Sequence, residues 1–182
     1  MAIREVDRFD SGDKTSSYYV KSLQRSAEFK RRDQELLKVI PAEDMRWEDC
    51  PQGRIKHVLN EEMGGRAYSV DIFIQEIPPG SRSGKHRHMA EEFIYVLEGR
   101  GHDLHWDVDP RITKDGYVWE VAPEPKRFDW EEGDVIFIPV NTIHQHFNDD
   151  PDRRVRFISG INRIFRYLGF DDLEQIEEAP SA

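Results

Sequence analysis

The sequence predicts an all-β domain, closed or sandwiched, on three observations. Short runs of β-branched, aromatic and aliphatic residues recur through the middle of the chain, with Phe93 to Leu97 and Val135 to Ile138 the clearest. Turn signals such as Pro78-Pro79-Gly80 and Asp115-Gly116 separate them at short intervals. The helix-compatible stretch, Ser16 to Val39, precedes all of these runs.

Taken in order, residues 1–13 are polar and expected to be loose. Ser16 to Val39 places Tyr19, Leu23, Leu36 and Leu37 among many charges with no Gly or Pro. That predicts a solvated helix on the outside of the domain, ended by Pro41. Strands are predicted at Ile55 to Leu59, Ala67 to Ile77, Phe93 to Glu98, His102 to Asp107, Tyr117 to Val121, Arg127 to Trp130, Val135 to Ile138, Ile143 to Asn148 and Val155 to Ile161. Phe165 to Glu178 is expected to form a short helix before Ala179 to Ala182 frays. The chain thus divides into an N-terminal arm with a helix (1–50), a β-barrel (51–164) and a C-terminal tail (165–182).

Composition narrows the function classes. A chain of 182 residues with 37% hydrophobic residues supports one sizeable core. Its net charge of −10 argues against a nucleic-acid or acidic-membrane partner, because phosphates would be repelled overall. A small-molecule ligand is the default. Cys50 is the single cysteine, so neither an intramolecular disulfide nor a thiolate cluster is available. No run of about 18 apolar residues suggests a membrane span, and a cytoplasmic location is expected.

Two punctuated blocks carry the chemistry. The first runs from Gly80 to His86, His88, Glu92 and Gly99; the second runs from Gly133 to Pro139, His144 and Asn148. On a strand the side chains alternate, so His86 and His88 project to one face. Glu92 opens the following strand and can fold back beside them, while His144 arrives from a distant stretch. Neutral imidazoles with a carboxylate form a donor set for Fe, Mn, Ni, Cu or Zn. One divalent transition metal per chain is expected at His86, His88, Glu92 and His144.

These blocks resemble the two motifs of the cupin superfamily, over roughly residues 54–161. The resemblance implies a cupin double-stranded β-helix, a jelly-roll barrel, flanked here by the N-terminal helical arm and the short C-terminal helix. The second block departs once, with Asn141 where cupins usually have glycine. Asparagine also tolerates left-handed backbone, so the turn is expected to survive.

Further site residues follow from alternation. His102, Leu104 and Trp106 share one face of their strand, with Asp103, His105 and Asp107 on the other. His102 is expected in the pocket and His105 in solvent. Trp106, with Tyr117, Trp119, Phe128 and Trp130, lines a pocket for a flat substrate or fills the core. His146 shares the face of His144 and is a candidate, with His102, for moving a proton. Gln75 points inward with Phe73 and Ile77. Among the arginines at 82, 87, 154 and 156, Arg156 is the candidate anchor for a substrate carboxylate, whereas Arg87 alternates outward.

Within the cupins, His86-Arg87-His88, Gln75 and the His144-x-His146 pair resemble the gentisate and salicylate ring-cleaving dioxygenases. That resemblance implies Fe(II) and a hydroxylated aromatic acid. Those enzymes usually join two cupin domains and carry a small residue where this chain has Glu92. The reading is therefore a mononuclear metal-dependent enzyme, foremost an Fe(II) dioxygenase of a small phenolic or enol-containing acid. A Mn, Ni or Zn isomerase or lyase and a non-catalytic small-molecule-binding cupin are the alternatives. A homodimer is expected, since barrel edges need covering.

Overall fold

A computed structural model describes residues 16–65, 67–170 and 172–181. The segment expected to be loose, 1–13, and the Tyr117 side chain lie outside the described residues. The chain forms two compact units that divide after Leu36. In the first, helix α1 (Tyr18–Glu35) occupies most of the stretch expected to be helical. It ends well before Pro41, because Leu36 turns to extended backbone at φ −71° and ψ 143°. Within the second unit the Leu37 N–H donates to Gly64 O at 3.0 Å, so its amide finds a partner outside a helix.

The second unit holds thirteen strands among the described residues. They are β1 (Trp47–Cys50), β2 (Gly53–Leu59), β3 (Val70–Ile77), β4 (Lys85–His88), β5 (Glu92–Glu98), β6 (Arg100–Trp106) and β7 (Val108–Thr113). There follow β8 (Gly116–Val121), β9 (Lys126–Glu131), β10 (Val135–Ile138), β11 (Ile143–Asn148), β12 (Val155–Asn162), a short helix α2 (Ile164–Tyr167) and β13 (Leu173–Glu177). Six strands pair in the order β1-β2-β3-β12-β5-β10 and five in the order β13-β4-β11-β6-β9; β7 and β8 form a separate ribbon. All pairings between these strands are antiparallel, giving the sandwiched all-β domain that the turn-punctuated runs predict and the jelly roll that the cupin resemblance implies.

Alternation within each run decides what the barrel encloses. In β5, Glu92, Ile94 and Val96 are buried while Phe93, Tyr95 and Leu97 are exposed; in β10, Ile136 and Ile138 face in while Val135 and Phe137 face out. The inward residues join Ile77, Trp130, Val155 and Phe157 in one apolar core. Phe157 sits edge-on between Trp130 and His146, with ring centroids 6.4 and 5.1 Å away, and so marks the change from apolar core to histidine cluster. Gly99 lies in the left-handed region at φ 93°, where a Cβ would meet Val155 Cγ2 at 2.7 Å. Asn141 holds the same kind of backbone at φ 63°, so the asparagine does substitute for the expected glycine.

The C-terminal region departs from the expected helix. Only Ile164–Tyr167 is helical, and Leu173–Glu177 is a strand paired with β4. Glu and Leu favour a helix locally, yet β4 offers an open edge, and Arg87 binds Glu174 at 2.6 Å. The sheets therefore extend past residues 51 and 164, from Trp47 to Glu177. No helix among the described residues is long and apolar enough to cross a membrane.

Candidate metal centre

Short β4 and the start of β5 bring the first block together. His86 and His88 are buried while Lys85 and Arg87 are only half-buried, the alternation expected of a strand. Across the ladder, His144 pairs in register with His86. One ring nitrogen or carboxylate oxygen from each of His86, His88, Glu92 and His144 falls within 4.8 Å of the others. That is close to the span of about 4.2–4.4 Å across an ion held by bonds of about 2.1–2.2 Å.

The hydrogen bonds around this cluster assign its lone pairs. His88 Nδ1–H donates to Ala90 O at 3.1 Å, and His144 Nδ1–H donates to Thr142 O at 2.9 Å. Each ring thus turns an Nε2 lone pair towards Glu92 Oε2, at 2.8 Å from His88 and 3.5 Å from His144. The other Glu92 oxygen accepts from the Ser159 hydroxyl. Two lone pairs facing a carboxylate repel unless positive charge lies between them. Protons are a poor source, because burial pushes His86 and His144 below the ordinary histidine value. Burial alone would raise Glu92; only a proton or positive charge at the His144 and His88 nitrogens facing it holds it well below the usual carboxylate range. His86 Nδ1 and His144 Nε2 are buried without a hydrogen-bond partner. A divalent cation satisfies all of these groups together, so the residues fit a metal ion.

A second buried network adjoins the first. Asp103, fully buried, accepts from Trp130 Nε1 at 2.8 Å, His146 Nδ1 at 2.9 Å and His105 Nε2 at 3.2 Å. Burial would raise its pKa, but His146 and His105 outweigh that and lower it below the ordinary value. Burial likewise disfavours charge on His146, and the Asp103 carboxylate reverses this, raising its pKa.

The remaining expected residues fall in different places. His146 does lie beside His144, with ring centroids 5.4 Å apart. His102 does not join the cluster. The ladder pairs His105 with His144 and Asp103 with His146, so Asp103 and His105 point inward and His102 pairs with Phe147 on the outer face. There His102 stacks on Phe147 at 4.6 Å and binds Asp149 at 2.9 Å. With Asp129 it makes a second His and Asp group, but Arg127 already bridges Asp129 and Asp149 at 2.7 and 3.0 Å. Gln75 is buried and donates to Gln52 O at 2.8 Å, fixing the loop whose Gln52 carboxamide touches His86 Nε2. Trp106 lies under Lys85 Nζ at 4.0 Å and is not among the residues lining the cavity that opens on His86 and His88. Arg156 is not placed as a ligand anchor: Glu76 holds it at 2.7 Å and Glu98 at 3.6 Å, while its neighbours Val155 and Phe157 face the core.

A cavity of about 190 Å³ opens on His86 and His88. Ile55, Leu59, Ile72, Phe73, Ile161 and Leu173 supply its apolar wall, and Gln52, His57, Asn60, Asp71 and Arg163 its polar groups. A wider depression of about 530 Å³ near Asp129, Asp134 and Asp149 contains none of the four clustered residues and is remote from this chemistry. Sequence reasoning missed Gln52, Asp103, Ser159 and Arg163. Asp103 carried a signal in its alternation with His105, had the strand register been available.

Residues 73–161 match the family described as Cupin domain. Auxin-binding protein T85 of Nicotiana tabacum is 29% identical over 102 residues, covering 54% of this chain and 50% of that protein. Auxin-binding protein T92 from the same plant is 28% identical over the same length. The chain spans about half the length of the curated relatives it matches. Among solved structures, the Lactobacillus farciminis oxalate decarboxylase formate complex aligns at TM-score 0.56 and 20% identity, covering 74% of this chain and 34% of that one. Vicilin from Corylus avellana aligns at 0.51 and 18%, covering 68% and 32%. At such identities the two structures speak for the fold alone. Motif, topology and family match agree that residues 73–161 of this chain form a cupin domain.

Proposed function

We propose that the chain is a mononuclear metal-dependent cupin enzyme, foremost an Fe(II) dioxygenase of a small phenolic or enol-containing acid. The observation that carries this is the buried convergence of three imidazoles and one carboxylate beside a small, mostly apolar cavity. His86, His88, Glu92 and His144 would hold the ion. When bound, such an ion supplies Lewis acidity and, if it is iron, the redox chemistry of oxygen. The carbonyls of Ala90 and Thr142 fix the ring orientations, and Ser159 orients Glu92. Asp103 holds a proton on His146 Nδ1, which sets the charge beside His144. Since His146 does not line the cavity, it is proposed as a positioning residue. The cavity falls below the ~300–1,000 Å³ typical of drug-sized sites, which supports a small ligand. The net charge of −10 supports a small molecule over nucleic acid, and the single cysteine supports a cytoplasmic setting.

A second reading, a non-catalytic small-molecule-binding cupin, draws support from the curated relatives, which are named as auxin-binding proteins. Oxygen uptake by iron-reconstituted protein across a panel of phenolic and enolic acids separates the two. Substrate-dependent consumption is expected. Tight ligand binding without turnover under Fe, Mn, Ni or Zn would favour the binding reading.

A further inference from the structure

The cavity that opens on the histidines contains one guanidinium, that of Arg163, and among the described residues no ion pair engages its Nη edge, unlike the Nη groups of Arg82, Arg87 and Arg156. Arg82 binds Glu177, Arg87 binds Glu174 and Asn141, and Arg156 is held by Glu76 and Glu98. Arg163 uses its Nε alone, donating to Asp71 Oδ2 at 2.7 Å. Its backbone N–H is anchored on Ser69 O at 2.7 Å. Neither of its Nη groups has a hydrogen-bond partner among the described residues. The side chain is 22% exposed, so those donors are partly shielded from water.

We infer that Arg163, aimed by Asp71, is the carboxylate-binding residue of this cavity, and that the ligand is a small monocarboxylate with an apolar or aromatic body. This rests on reading the cavity as the ligand site of a metal-dependent cupin. The free edge of the guanidinium presents two parallel N–H donors, the geometry that a carboxylate accepts in bidentate fashion. Asp71 removes one rotational freedom of the fork, so less entropy is lost when the ligand binds. The wall of Ile55, Leu59, Ile72 and Phe73 suits a hydrocarbon body. A polyanion such as a nucleotide would need more cations than the single guanidinium lining this cavity. His86 and His88 line the same cavity as Arg163, so a hydroxyl or enol on that body would be the group offered to them.

The test titrates the zinc-loaded full chain, which is redox-inert, with benzoate and with its neutral isostere benzamide. Arg163→Gln is expected to weaken benzoate binding roughly tenfold to a hundredfold while changing benzamide by less than about twofold. Arg163→Lys should recover part of the loss, and Arg156→Gln should match wild type. The inference is overturned if Arg163→Gln binds benzoate as wild type does, if both probes weaken equally, or if wild type shows no preference for benzoate. Oxygen uptake by the iron form separates this from the enzymatic reading. Benzoate selectivity through Arg163 with no uptake for any acid sinks the dioxygenase and leaves the anchor. Uptake whose KM is untouched in Arg163→Gln sinks the anchor and leaves the dioxygenase.

Discussion

Replacing Asp103 with Asn removes one charge from the barrel interior and changes almost nothing in shape. In the wild type one carboxylate serves three donors, with Trp130 Nε1 and His146 Nδ1 both on Oδ1 and His105 Nε2 on Oδ2. Asparagine keeps the Oδ1 acceptor for two of them but turns an N–H towards His105. His146 also loses the counter-charge that raises its pKa. Breaking a buried pair of this kind costs about 3–5 kcal/mol, and the surviving Oδ1 bonds put the expected loss near 3 kcal/mol. The pH dependence has a definite sign. Asp103 is depressed in the folded state, so its stabilisation is present above the unfolded carboxyl value and disappears as pH falls through the folded one. Urea unfolding followed by tryptophan fluorescence should therefore show a gap between wild type and Asp103→Asn at about pH 5.5 that narrows below about pH 4. A gap under about 1 kcal/mol at pH 5.5, or one that persists unchanged to about pH 3, would refute the charge-based account.

Three other outcomes are expected. Glu92→Ala should loosen the metal and abolish turnover, because it removes the charge that balances the ion; a fully metallated, active variant would mean that Glu92 is not a permanent ligand. Gly101→Ala would set a Cβ 1.9 Å from Phe147 O, across the β6–β11 ladder, so a loss of about 3 kcal/mol or failure to fold is expected in thermal melts, and a wild-type melt contradicts the register. The chain should be a homodimer, since Phe93, Tyr95, Val135 and Phe137 stand exposed together on the outer faces of β5 and the edge strand β10. Light scattering should give twice the chain mass for wild type and the monomer mass for Phe137→Glu; a wild-type monomer at micromolar concentration rules the dimer out.

The four clustered residues were legible because their spacing encodes two structural facts at once. Strand alternation puts His86 and His88 on one face, and the turns place Glu92 and His144 against them. Asn141 was legible for a similar reason, as few residue types other than glycine accept a positive φ. What stayed hidden depends on strand partners. Nothing local to residues 102–106 says which alternate set faces inward; the pairing of His105 with His144 decides it, and the apolar company of Leu104 and Trp106 suggested the reverse. Arg156 and Arg163 look alike in sequence. Only the carboxylates across the sheet distinguish them: Glu76 and Glu98 hold Arg156 through Nε and one Nη, whereas Asp71 meets Arg163 through Nε alone. Leu173–Glu177 reads as helix from its residues and becomes a strand because β4 lacks a neighbour on that side.

Metal stoichiometry distinguishes an ion-binding centre from a cluster of buried histidines that only hydrogen-bond. Elemental analysis after saturation with a divalent ion and desalting should give one ion per wild-type chain, with sharp losses in His88→Ala and His144→Ala while the β-rich circular dichroism of both variants persists. Equal occupancy in wild type and both variants would contradict a metal centre built from His86, His88, Glu92 and His144.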